Sequence, residues 1–278
     1  MKWVADRVGA VIEVLLVKAL VYGLGFVWFR SEAGQWQMRA LGHWFGSHTL
    51  MIAVPVALLV VTRRSFAEYG LTLRSWRDDV RAALGVFFPM AVASAVLGFV
   101  PYATWPGAVV MVGVQVALLW VVAKALRKPD VSAGLWTVGL SVVLFGSYGL
   151  WKGLSPGIGQ GLTNAVYYLL FIGVGEEVMN RGYALTRLNQ AFDKPWRFLD
   201  VSWGWGTLVA AALFGLGHVL NGYNPITGAF NPQWAWGLWT TASALVFTYV
   251  REKTGSVVAP AILHGLPQAL VYAFLRSW

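Results

Sequence analysis

The chain has 278 residues, 58% hydrophobic and only 12% charged, against roughly 25% charged in an ordinary soluble domain. That deficit, with a mean hydropathy of +0.61 and 16 Trp, excludes a soluble fold and calls for several bilayer crossings. The apolar runs are continuous rather than alternating, which excludes a β-barrel; the expected class is all-α, a polytopic transmembrane helical bundle. Cys is absent, removing disulfides, thiolate metal sites, Cys nucleophiles and S-palmitoylation together.

Taken in chain order, the first apolar run, residues 8–29, is too long for a cleavable signal peptide and carries Glu13 and Lys18. It reads as the first span. Glu13 and Lys18 are five apart and on different faces, so each needs its own partner. The mixed segment 31–48 reads as an interfacial helix with Trp36 and Trp44 at headgroup level, and His43 and His48 share that interfacial position. Further spans are expected at 44–61, 82–100, 108–126, 131–150, 162–180, 203–222, 234–250 and 257–275, giving nine, or eight if one of them does not cross. Residues 63–81 read as a surface-lying amphipathic segment. Gly149, Gly153, Gly157 and Gly161 recur every four residues, but Lys152 and Pro156 among them point to a loop. Asn221, Asn224 and Asn231 suit turns. With no repeat and no soluble stretch, 1–278 reads as a single integral-membrane domain.

The net charge of +9 is resolved by where it falls. Sixteen of the 21 Lys and Arg lie in alternate loops shared with the amino terminus, from Lys2 and Arg7 through Arg63–Arg81, Lys124–Lys128 and Arg181–Arg197 to Arg251 and Lys253. Arg30, Arg39, Lys152 and Arg276 lie opposite, and Lys18 is inside a span. The asymmetry predicts a cytoplasmic amino terminus. Basic residues dispersed over five loops also argue against nucleic acid as a partner.

The string GEEVMNRGY carries Glu176 and Glu177 straight after an apolar run. A helix continuing through Arg187 puts both carboxylates within the membrane, where ionisable groups mark function; a helix ending at Gly175 would leave them in water. Glu177 and Arg181 are four apart and can pair, while Glu176 sits about 100° around the helix and needs another partner. His218 follows a run lined by Ala210, Ala211, Ala212, Gly215 and Gly217, small residues that admit close helix approach. His264 precedes Gln268 by one turn. At 1.5 Å per residue, Glu177 lies roughly 15 Å from Arg187, His218 roughly 22 Å from Trp203 and His264 roughly 10 Å from Val257, so all three can meet. Together they make a site for acid/base chemistry on water, with or without a metal.

These motifs resemble the CPBP family of intramembrane proteases, which includes Rce1-type CAAX prenyl endopeptidases and Abi-like proteins. The family pattern is E-E-x-x-x-R, F-x-x-x-H and H-x-x-x-N on successive helices. This chain has Glu176, Glu177 and Arg181; Phe214 and His218; then His264 and Gln268. The resemblance spans 160–275, and 1–160 matches only in general character. Asn180 stands where the family usually has Phe and is expected to alter packing; Gln268 stands where it usually has Asn. The resemblance implies that Glu176 activates water with His218, that His264 and Gln268 stabilise the oxyanion, and that Glu177 and Arg181 orient the site. A zinc version would use Glu176, His218 and His264 as ligands; the absence of an H-E-x-x-H pair favours the version without a cofactor.

The reading is thus an intramembrane endopeptidase of a bacterial or archaeal plasma membrane, acting on a peptide or protein presented at the bilayer. The alternative is a non-enzymatic membrane protein whose buried Glu/His/Arg cluster binds an ion or serves an immunity partner.

Overall fold

The computed structural model describes residues 2–224 and 227–275; Arg276, counted above among the opposite charges, lies outside them. The architecture is helical almost throughout, as hydrocarbon demands when each backbone polar group must be satisfied within its own segment. The helices are α1 (Lys2–Arg30), α2 (Glu32–Leu41), α3 (Phe45–Val61), α4 (Trp76–Gly85), α5 (Phe87–Val96), α6 (Trp105–Ala125) and α7 (Val131–Trp151). Next, α8 runs unbroken over residues 158–192. Its α-helical pieces are Ile158–Val166, Gly175–Glu177 and Leu185–Phe192, and its π-helical pieces are Tyr167–Val174 and Val178–Ala184. A small antiparallel hairpin, β1 (Trp196–Phe198) and β2 (Val201–Trp203), pairs Trp196 with Trp203. Then come α9 (Trp205–Leu220), α10 (Trp234–Thr254) and α11 (Val258–Phe274).

Local chemistry sets several boundaries. Ser31 Oγ accepts from Gly34 N at 3.0 Å at the start of α2, and Gly42 closes it with φ 73°. The chain then turns 119° into α3, so the segment before the second span is a separate short helix, as its composition suggested. Thr104 and Asp130 cap α6 and α7 through Gly107 N and Ala133 N. Of the four spaced glycines, Gly153 and Gly157 lie in a loop at positive φ, whereas Gly149 and Gly161 lie within α7 and α8 and meet the Phe274 and Ala273 carbonyls, so the loop expectation holds only for the middle pair. In the α9–α10 loop, Asn224 Oδ1 accepts from Thr227 N.

Residues 63–81, largely exposed, form turns anchored by buried Tyr69, followed by the start of α4, where buried Asp79 accepts from Ser75 Oγ. One expectation is corrected. His43 is not interfacial but buried, 2.8 Å from Asn164 Oδ1 and stacked 4.0 Å from Tyr167. A lone polar group in an apolar run carries no mark of whether it faces headgroups or neighbouring helices.

Three helices, residues 6–30 of α1 together with α6 and α7, are long and apolar enough to cross a membrane, or five if the bent pairs α2/α3 and α4/α5 each count as one span. These lengths do not establish eight or nine spans. The outer face of α7 presents Leu135, Trp136, Leu140 and Val143, a surface suited to lipid.

Two apolar clusters flank the middle of the bundle. Phe87, Met90, Val122, Tyr249, Val250 and Leu263 gather where α4–α6 meet α10 and α11. Val14, Leu59, Tyr183, Leu188 and Ala210 join α1, α3, α8 and α9. Where α9 meets α10, a Cβ on Gly215 would stand 2.4 Å from the Gly237 carbonyl, so a larger residue would force these helices apart. Gly265 meets α8 the same way, 2.6 Å from the Tyr168 carbonyl. These contacts bring the helices bearing His218 and His264 inward.

The five basic segments meet on one side of the molecule. Arg7 pairs with Asp193 at 3.6 Å, and Glu13 joins Arg64, Arg187 (2.8 Å) and the Tyr183 hydroxyl (2.7 Å). Asp200 receives Arg127 (3.1 Å) and Lys253 (3.5 Å). The Arg127 hydrogen bond, helped by the charges of Arg127 and Lys253, holds the exposed Asp200 carboxyl below the usual carboxylate range. Its stabilising effect is present above the ordinary carboxylate pKa and fades as pH falls through the lowered one. Reporter fusions after Lys128 and after Gly228 are expected to read opposite sides of the membrane; identical readouts would refute the alternating arrangement.

Candidate active site

The site is built on α8. The helix does not end at Gly175 but continues to Phe192, which carries both glutamates into the bundle. Gly175 lets α3 approach, its Cβ position lying 3.1 Å from the His48 carbonyl. Glu176 and Glu177 fall on the short α-helical piece between two π-helical ones. A π-turn shifts side-chain register and is frequent at functional sites.

Glu177 is fully buried, and its Oε1 accepts from Arg181 Nη1 at 2.9 Å and His264 Nδ1 at 2.8 Å. The i, i+4 pairing expected from the sequence is therefore present. Arg181, 2% exposed, lies 4.1 Å from the Phe214 ring centroid and 5.2 Å from that of Phe247. Aromatic faces thus cover a cation that would be costly to bury bare. Phe247 also stacks on His264, centroids 5.0 Å apart.

Hydrogen-bond partners assign the imidazole protons. An ionised carboxylate only accepts, so His264 carries its proton on Nδ1 toward Glu177, and Nε2 is left facing Glu176 Oε2 at 3.8 Å. His218 Nδ1 is 3.0 Å from the Phe214 carbonyl, which likewise puts the proton on Nδ1 and leaves Nε2 as the acceptor nitrogen. The His218 ring lies between Phe214 and Trp236, within electrostatic reach of Glu176. Gln268 Nε2 donates to the His264 carbonyl at 3.4 Å, so its amide rests on its own helix. Glu176, Glu177, Arg181 and His264 are in one contiguous cluster with His218 beside it, while Gln268 is one turn away.

Sequence reasoning did not place His48, Tyr167 or Lys18 at this site, nor pair Lys18 with Asn180. Lys18 and Asn180 are hydrogen-bonded to each other though 162 residues apart. His48 Nδ1 lies 3.1 Å from the Tyr167 hydroxyl, and both sit within electrostatic reach of Glu176. No sequence spacing links these pairs; the one available signal was that an intramembrane Lys18 must have a partner. As for zinc, among the described residues no group of three or more His, Asp or Glu is arranged to hold a metal ion.

Residues 158–270, less than half of the chain, match the family model described as type II CAAX prenyl endopeptidase Rce1-like. Over that segment the chain is similar to the Rce1-like family. The Rce1-like segment contains all six residues singled out from the motifs, and it begins at the first residue of α8. No curated protein and no solved structure matches the chain.

Proposed function

We propose that the chain hydrolyses a peptide bond of a membrane-presented substrate, using a water held by Glu176 and His218. The observation that carries this reading is the orientation of His264: Glu177 fixes Nδ1, and Nε2 is turned to Glu176 at 3.8 Å. That separation is too long for a direct hydrogen bond, which leaves Glu176 Oε2 free to take a water and His264 Nε2 free to face the substrate oxygen. A water donating one hydrogen to Glu176 and the other to His218 Nε2 points its oxygen lone pair at an incoming carbonyl carbon. Glu176 takes the proton as the C–O bond forms. The oxyanion then accepts hydrogen bonds from Gln268 and from Nε2–H of His264, which enters the step as an imidazolium protonated from solvent. The proton held on Glu176 passes to the departing nitrogen as the C–N bond breaks, leaving a carboxylic acid and an amine; the acid's remaining proton, which came from the water and faces His218 Nε2, passes to that nitrogen and on to solvent. No step needs a metal.

We place the protein in a plasma membrane with its amino terminus and basic face cytoplasmic, following the charge asymmetry. The test is purified protein in liposomes incubated with farnesylated CAAX peptides and with unprenylated membrane-tail peptides, products identified by mass spectrometry. A defined cleavage lost in Glu176→Gln supports the reading; cleavage unaffected by Glu176→Gln overturns it.

Gln268 provides a narrower check. To serve the oxyanion its amide must leave the weak 3.4 Å contact with the His264 carbonyl or use its second N–H. Gln268→Leu is expected to lower turnover by about 100- to 1,000-fold with little change in KM, and Gln268→Asn, a shorter donor, to retain more. A folded Gln268→Leu with wild-type turnover removes the residue from the mechanism.

A further inference from the structure

Lys18 is an ammonium in the middle of α1, only 7% exposed. Groups of this kind inside a membrane bundle are expensive unless paired, and mark function. Its Nζ donates to Asn180 Oδ1 at 2.7 Å. An ammonium can only donate, so the Asn180 oxygen faces Lys18 and its amide nitrogen points the other way, where it donates to the Glu176 carbonyl at 2.7 Å. Asn180 is itself 5% exposed. A two-bond chain therefore runs from α1 to the backbone of the residue proposed as the base. Phe at position 180, the residue usual in the motif, would offer Lys18 no acceptor.

Arg181 is engaged by Glu177, so the hydrogen-bond chain through Asn180 is the link from Lys18 to Glu176.

We infer that Lys18, acting through Asn180, positions Glu176, so that α1, outside the family-matched segment, completes the site. This rests on the reading of Glu176 as the base. The departure at Asn180 is then not a packing change but one half of a polar link whose other half is in the first span.

The test uses the full chain in phosphatidylcholine/phosphatidylglycerol liposomes, with Lys18→Met, Lys18→Arg, Asn180→Phe and Lys18→Met/Asn180→Phe. Three quantities are measured: thermal stability, turnover of whichever peptide the wild type cleaves, and the Glu176 carboxylate infrared band, assigned by its loss in Glu176→Gln. Lys18→Met is expected to move the band and lower kcat by about 10- to 100-fold with KM nearly unchanged, as for other residues that orient a catalytic group. Lys18→Arg should keep the band in place and recover much of kcat. The double variant removes both buried polar partners, so it should recover stability while kcat stays low. If the double variant recovers kcat along with stability, the pair is merely structural and the inference fails. It fails equally if the band is unmoved in a folded Lys18→Met. A moved band in a protein whose turnover ignores Glu176→Gln would sustain the link while ending the role of Glu176 as base.

Discussion

Glu176→Gln, His218→Ala and His264→Ala are each expected to lower turnover by at least about 1,000-fold while the protein stays folded. General acid/base groups contribute about 10²- to 10⁴-fold, and members of one catalytic unit cannot substitute for one another. The geometry gives each a separate duty. Glu176 offers the oxygen nearest His264 Nε2, His218 offers an acceptor nitrogen fixed by the Phe214 carbonyl, and His264 is held by Glu177. Single-turnover kinetics with a confirmed substrate, alongside circular dichroism, make the check; near-normal turnover in all three variants would refute the site. Chelators are expected to leave the wild type unaffected, since every proposed step uses only protein groups and water. Loss of activity on chelation with recovery on adding Zn²⁺ would restore the zinc alternative.

The second large effect is on stability. Arg181→Met leaves a fully buried Glu177 carboxylate with His264 as its remaining partner, and breaking a buried pair from one side typically costs about 3–5 kcal/mol. Glu177→Gln should be harmful from the other side, stranding a guanidinium enclosed by Phe214 and Phe247. The double variant, which removes both charges, is expected to lose less than the sum of the singles. Unfolding in mixed detergent micelles measures all three, and a loss under about 1 kcal/mol for Arg181→Met would mean that water reaches the pair.

The parts of this site that lie within one helix could be read from the sequence. Glu177 and Arg181 are four residues apart and pair on one face; Gly215 stands among small residues and does mark a close helix contact. Glu13 and Lys18, on different faces, were each expected to find separate partners and do so, with Arg64 and Arg187 on one side and Asn180 on the other. What lay beyond reach was the identity of those partners, because composition in a lipid-facing helix says which residues dislike hydrocarbon and not which neighbour satisfies them. The hairpin at 196–203 was hidden for a different reason. Its turn places Leu199 at φ 54°, where an Asn or Gly would have signalled a tight hairpin. The first π-helical piece of α8, Tyr167–Val174, left no trace in the periodicity because it carries no charged or amide residue; the second, which holds Asn180 and Arg181, is too short to reveal a shifted register.

The helices that bring the two histidines are short. With 16 and 17 residues, α9 and α11 span about 24 and 26 Å at 1.5 Å per residue, whereas α6, α7 and α10, with 21 residues each, reach about 32 Å. A hydrocarbon core of about 30 Å fits the long helices and overhangs the short ones. Hydrophobic mismatch of this kind draws headgroups inward around the shorter elements. The 17-residue α3, which passes beside Gly175, is equally short, so short helices lie next to the carboxylates, and a bilayer that adapts to them brings headgroups and water nearer to that side of the bundle. The hydrolysis proposed above would draw its water through such a dimple in the membrane.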